Sequence, residues 1–289
     1  MGDLKVVVGE KFRSLVHLCP PLYRLCLKTV RDYGKIYYAR LDRKYQYREK
    51  LRRLKNIKEG ESCFIIGNGP SLRPEDLETL YAKGVDSFAS NKIYKAFDST
   101  NWRPTYFSVV DWKGIDEQSA DNMKVPYLFF SDYYWRKHSV TNPNAYVFYG
   151  NRLLDGKLSS YKFSEDIAEQ IYMKGSVTYT NFQLAVYLGY KHIYLLGMDN
   201  SYAYVMNADG KTVKSGETDN SHFYKDDNPS HIYSEKEAMD NCFVAAKQYA
   251  DSHGIEIINA TRGGKLELFP RVDFESALHE IEMRAIRQS

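Results

Sequence analysis

No run of about 18 apolar residues occurs anywhere in the chain, so the sequence lacks a conventional membrane-spanning helix. Cysteine is sparse: Cys19, Cys26, Cys63 and Cys242 are the four in 289 residues, and none pair in C-x-x-C spacing. That excludes a disulfide-stapled fold and a zinc ribbon, and it implies reduced thiols in a cytoplasmic protein. Residues 1–12 are too charged and too short in apolar length to act as a secretory signal. The serine-hydrolase pattern G-x-S-x-G is missing, as are D-x-D and a lysine placed to complete a Walker loop. Internal repeats and low-complexity tracts are also lacking.

What the chain does have is aromatic and charged. Tyrosine alone accounts for 25 residues, which suits a stacking surface as well as a tyrosine-rich core rim. The net charge of +3 conceals a division. Residues 1–58 carry 16 Lys/Arg against 5 Asp/Glu, a balance of +11, and the remainder carries 24 against 32, a balance of −8. The basic excess therefore belongs to an extension, and the acidic remainder argues against nucleic acid as partner. Pro20-Pro21 marks a break, after which Val30, Tyr33, Tyr37, Leu41, Leu51 and Leu54 recur at helical spacing. One basic amphipathic helix is expected over 22–54, suited to an anionic membrane surface or a second subunit.

From residue 62 onward short apolar runs alternate with helical patterns. Strands are expected at 62–66, 85–89, 105–110, 126–130, 145–149, 192–196 and 255–259. Helices are expected at 74–83, 91–98, 164–172, 178–188, 234–252 and 273–286. The alternation predicts an α/β fold with a Rossmann-like, mostly parallel sheet and helices on both faces. The domain division is placed at 1–58 and 59–289.

In such a sheet, ligands sit beyond the carboxyl ends of the strands. Small and amide residues gather there: Gly67, Asn68, Gly69 and Ser71 after the first strand, Ser90 and Asn91 after the second. Asp111 follows the third strand, and Gly197 and Asp199 follow 192–196. The glycines allow positive φ and close backbone approach. The helix at 74 opens on Glu75 and Asp76, whose charges repel a phosphate, whereas Lys174, Gly175 and Ser176 precede a helix with no acid in its first turn. An ordinary hydroxyl cap accounts for Ser176 equally well. The segment 198–233 shows little periodicity and reads as a long loop. It carries His222, His231 and Asp226 as alternative general bases, together with Tyr202 and Tyr204.

Phe64-Ile-Ile-Gly-Asn-Gly-Pro-Ser-Leu72, Ser90-Asn91, Gly175-Ser176, the run from Leu188 to Asp199, and Asp219-Asn-Ser-His-Phe223 occur here in that order. Together with Arg262-Gly-Gly-Lys-Leu-Glu-Leu-Phe-Pro270, they resemble the 6-hydroxymethylpterin-diphosphokinase-like domain family of motility-accessory-factor type, related to bacterial CMP-sialic-acid sialyltransferases. The resemblance spans about 62–275. It implies metal-independent, inverting transfer of a sugar, most simply a CMP-linked acidic sugar, to a surface-glycan or lipid-linked acceptor, with no cofactor. It further implies that Asn68, Asn91 and Ser176 contact the nucleotide, and that Tyr202 and Tyr204 stabilise the departing phosphate. The sialyltransferase pattern departs here at its second histidine, replaced by Asp226, and at an arginine replaced by Met173. A pterin-diphosphokinase-like ATP enzyme holding Mg²⁺ through Asp111 and Asp199, or a non-catalytic nucleotide-binding scaffold, are the alternatives.

Overall fold

A computed structural model describes residues 20–138, 140–152, 158–206, 212–216, 218, 220–224 and 236–288. The chain divides into two compact units, residues 1–45 and 46–289. The described part of the first is the helix Pro20–Tyr45. Its two prolines lie in the first turn, where a missing N–H costs nothing because that turn has no intrahelical acceptor. The helix stops because Gln46 turns left-handed, with φ 55° and ψ 40°, and a short helix Tyr47–Arg52 follows. The single helix expected over 22–54 is therefore two.

The second unit is built on seven strands. They are β1 (Ser62–Ile66), β2 (Ser87–Ser90), β3 (Tyr106–Val109), β4 (Tyr127–Ser131), β5 (Ala145–Phe148), β8 (His192–Leu196) and β11 (Glu256–Asn259), with β6 (Gly150–Arg152), β7 (Ile171–Met173), β9 (Tyr204–Met206) and β10 (Thr212–Lys214) outside the main sheet. Main-sheet order is β11-β8-β1-β2-β3-β4-β5, and every neighbour is parallel. The strands are apolar on both faces because both are covered. Cys63, Ile65, Phe88, Tyr106, Phe129, Ile193 and Leu195 join helices Val177–Leu188 and Lys236–Ser252 in one cluster. On the opposite face Phe64 packs against Tyr194 and against Phe274 of the helix Phe274–Gln288, with centroids 5.4 and 5.8 Å apart. The Rossmann-like expectation holds.

Three local expectations differ. Residues 46–58, assigned to the extension by charge, pack with the second unit. Leu51 and Leu54 enter its core, and Asn56 N, Lys58 N and Gly60 N donate to the carbonyls of Tyr187, Leu188 and Gly189 at 3.0, 2.8 and 3.0 Å. Residues 164–172 are not helical. Gln183 Oε1 accepts from Ser164 N and Tyr172 N at 3.1 and 3.0 Å, which holds the chain extended into β7, paired in parallel with β6. Tertiary capture of backbone donors outweighs the local helical preference. Finally, 198–233 is not uniformly irregular, since β9 and β10 form an antiparallel pair within it.

Candidate functional site

Strand order reverses at β1: β2 to β5 are laid down on one side of it, and β8 and β11 on the other. The loops leaving β1 and β8 diverge there and open a crevice, the position where parallel sheets hold ligands. The two loops are nonetheless in tight contact at their base. Gly67 N donates to Leu196 O at 2.7 Å and Gly69 N to Gly197 O at 2.9 Å. A Cβ on Gly67 would strike the Gly197 carbonyl, and one on Gly69 would strike the Asp199 carboxylate. Neither adopts positive φ, so close approach rather than a left-handed turn demands both glycines. Positive φ occurs instead at Gly197 (+68°) and Gly175 (+63°).

Asp199 binds the loops together. Its Oδ2 accepts from Ser71 Oγ at 2.7 Å and from Ser71 N at 3.4 Å. The residue is 7% exposed, and burial pushes its carboxyl above the usual carboxylate range, against the opposing pull of the Ser71 hydrogen bonds. Asn68 donates through Nδ2 to Ser90 O at 3.3 Å, joining the loops after β1 and β2. Asn200, left-handed at φ 51° and 8% exposed, donates to Asp240 Oδ1 at 3.2 Å on the helix Lys236–Ser252. These donations set both carboxamide orientations. The buried oxygens Asn68 Oδ1 and Asn200 Oδ1 have no partner among the described residues, two acceptors ready for N–H or O–H groups of a ligand.

The third wall comes from Gly175 and Ser176. Gly175 backs onto the Ala238 carbonyl with no room for a side chain, and its left-handed turn leads into Ser176. Ser176 caps the helix Val177–Leu188, accepting from Thr178 N at 3.1 Å, and the first turn has no acid. The hydroxyl thus serves as a cap and still has its own proton to donate. By contrast, neither Glu75 nor Asp76 lines the cleft, and Asp76 is bound by both terminal nitrogens of Arg262.

Residues 220–224 close the fourth side. Phe223 N donates to Asn68 O at 2.9 Å, and Ser221 Oγ accepts from Ala203 N at 2.9 Å. His222 stacks on Tyr224 at 4.9 Å and 10°, and Lys95 Nζ lies 4.8 Å from the Tyr224 ring centre. The result is a cleft of about 260 Å³. It brings together Gly67, Asn68, Gly69, Ser90, Asn91, Gly175, Ser176, Gly197, Asp199, Tyr202 and His222.

Four expected residues are not part of its lining. Ser71 acts from behind through Asp199. Asp111 closes a local turn by accepting from Lys113 N at 2.9 Å. The Lys174 carbonyl joins the turn, accepting from Ser176 N at 2.6 Å and Cys242 Sγ at 2.8 Å. Tyr204 belongs to the β9–β10 hairpin. Asp226 and His231 lie outside the described residues. Asn200 and Ser221, which the sequence placed beside Asp199 and His222 without singling them out, also line the cleft, as do Met239 and Phe243, which sequence reasoning missed. Asn200 adjoins a predicted residue and could have been included. Met239 and Phe243, four apart on one helix, look like ordinary core positions.

Among the described residues no three His, Cys, Asp or Glu side chains converge as a metal site would, and no helix is long and apolar enough to cross a membrane. No curated protein matches the chain. It is similar to the solved structure of MAf glycosyltransferase from Magnetospirillum magneticum AMB-1, at 14% identity and a TM-score of 0.44, over 83% of this chain and 41% of that one. The chain thus spans about two fifths of that protein's length. Residues 38–205, more than half of the chain, match the family described as 6-hydroxymethylpterin diphosphokinase MptE-like. The chain belongs to that family.

Proposed function

We propose that the protein is a glycosyltransferase that moves a sugar from a nucleotide donor, a CMP-linked acidic sugar, to a hydroxyl of a glycan or lipid-linked acceptor. The observation that carries this is the switch-point cleft closed by the loop bearing His222. Among the described residues its polar lining is mainly amides, hydroxyls and backbone groups, with one carboxylate at Asp199 and the imidazole of His222, beside apolar Val177, Met198, Met239 and Phe243 and with no lysine or arginine. Cleaving a glycosidic phosphate ester develops negative charge on the departing nucleotide. Hydroxyls of Ser176 and Tyr202, with the acid-free helix terminus behind Ser176, supply donors for that charge. His222 then takes the proton from the acceptor hydroxyl as its oxygen attacks the anomeric carbon from the face opposite the leaving group. Asn68 and Asn200 contribute acceptors toward donor groups of the nucleotide or sugar.

Thermal-shift titration with CMP, CDP, UDP and GDP tests the donor class. Stabilisation by a cytidine nucleotide is expected; none by any cytidine species would remove the CMP assignment.

A kinase-like reaction on a pterin is the second reading, favoured by the family description. It needs Asp111 and Asp199 as a cation-holding pair, yet Asp199 lines the cleft and Asp111 does not. EDTA decides: turnover that survives chelation supports sugar transfer without metal, and turnover that disappears supports the kinase.

A further inference from the structure

The helix Pro20–Tyr45 presents an unusual surface for a water-facing element. Leu25, Val30, Tyr33 and Ile36 are 60, 59, 59 and 54% exposed. At 100° per residue these four fall within one arc of about 140°. Lys28, Arg31 and Lys35, all exposed, fall on a separate narrow stripe on the other side of the helix. Farther along, Arg40, Arg43 and Lys44 return to the arc that the apolar residues occupy. Seven basic residues against two acidic ones leave the helix at +5.

Each candidate occupant makes a different demand. A second copy of the helix would bury the apolar arc but set +5 against +5, with the basic stripes unneutralised. A nucleic acid would satisfy the charge and leave four large apolar side chains in water. A bilayer surface rich in anionic lipid satisfies both, since the apolar arc enters the acyl boundary while lysines and arginines reach phosphate headgroups. We infer that Pro20–Tyr45 docks the protein on an anionic membrane surface, lying in the plane of the interface. The inference is independent of the donor chemistry proposed above, because it uses no residue of the cleft.

The test is co-sedimentation of the full chain with large unilamellar vesicles, either phosphatidylcholine alone or two parts phosphatidylcholine to one part phosphatidylglycerol. Binding is expected only to the mixed vesicles. It should weaken as NaCl rises from about 0.1 to about 1 M, where the screening length falls from roughly 10 to 3 Å. Neutralising the stripe with K28Q/R31Q/K35Q should lower the partition coefficient about 100-fold, at roughly fivefold per cation. Substituting L25S/I36S should also lower it, with the thermal transition of the main unit unchanged because both side chains are exposed. Equal binding to neutral vesicles, or no binding to either kind at low salt, overturns the inference. So does a dimer in sedimentation velocity that L25S/I36S dissolves, which would assign the apolar arc to a second copy.

Discussion

Replacing Gly69 with alanine adds one carbon atom at the tightest point between the loops of β1 and β8. With no positive φ at Gly69, the substitution carries no backbone strain, and its effect is purely steric. The new Cβ would fall on the Asp199 carboxylate and about 2.7 Å from the Gly197 carbonyl oxygen, so one loop must move. Forcing a methyl group into a packed site costs about 1–3 kcal/mol. Moving the carboxylate also breaks the 2.7 Å bond from Ser71 Oγ, a charged hydrogen bond of about 1.5–3 kcal/mol. The combined loss, about 3–5 kcal/mol, is a large share of the 5–15 kcal/mol that holds a typical domain. With a urea slope of about 3 kcal/mol/M, the midpoint should fall by roughly 1–1.7 M. Gly84→Ala is the counterpart: φ is +63° and nothing lies within 4 Å, so only left-handed strain of about 1–2 kcal/mol applies. Urea unfolding followed by circular dichroism, with nucleotide binding measured on both variants, separates the two effects. G69A should lose more stability than G84A and should alone lose nucleotide binding. A G69A protein that unfolds with the wild type, or binds nucleotide undiminished, would refute the close-approach explanation.

Other outcomes follow from the same geometry. His222→Ala should lower transferase turnover by about 10²–10⁴-fold, the usual range for a lost general base, and unchanged turnover would move the base elsewhere. Tyr224→Phe should retain turnover because the ring stacked on His222 is kept, whereas Tyr224→Ala should not; equal effects would exclude stacking as the positioning contact. Burial raises the folded-state carboxyl of Asp199 above its unfolded value, so its contribution is fully present in acid and is lost as pH rises through the folded pKa. Asp199→Asn should therefore gain stability relative to wild type as pH rises above the ordinary aspartate range, measured by urea midpoints; a pH-independent difference would contradict this. Cys63 and Cys242 are buried thiols, the first pushed well above its ordinary value and the second up to about 12 by burial. In a C19S/C26S protein neither should react with a thiol reagent at pH 8 until urea is added, and rapid native labelling would show the core to be open.

Periodicity and turn chemistry act over a few residues, and what they control was legible from the chain itself. The strand cores, their parallel character, the glycine-rich exits of β1 and β8, and the acid-free start of the helix at 177 follow from local pattern. So does the separation of charge between extension and main unit. Pairings between distant residues were not legible, because no local signal encodes them. Gln183 capturing the backbone at Ser164 and Tyr172 turned an expected helix into a strand. The carbonyls at 187–189 drew residues 46–58 out of the basic extension into the core. Ser71 was expected at the ligand edge and is instead the clasp on Asp199, while Asp111 holds a neighbouring turn. Gly67 and Gly69 were legible as necessary for backbone freedom or close approach, but that close approach is the reason, and that a loop 130 residues away does the crowding, came only with the sheet order. Sequence determined which residues could meet a ligand at the edge of a parallel sheet. Tertiary structure decided which of them do, because reversal of strand order at β1 creates one crevice, and contacts made across it choose its walls.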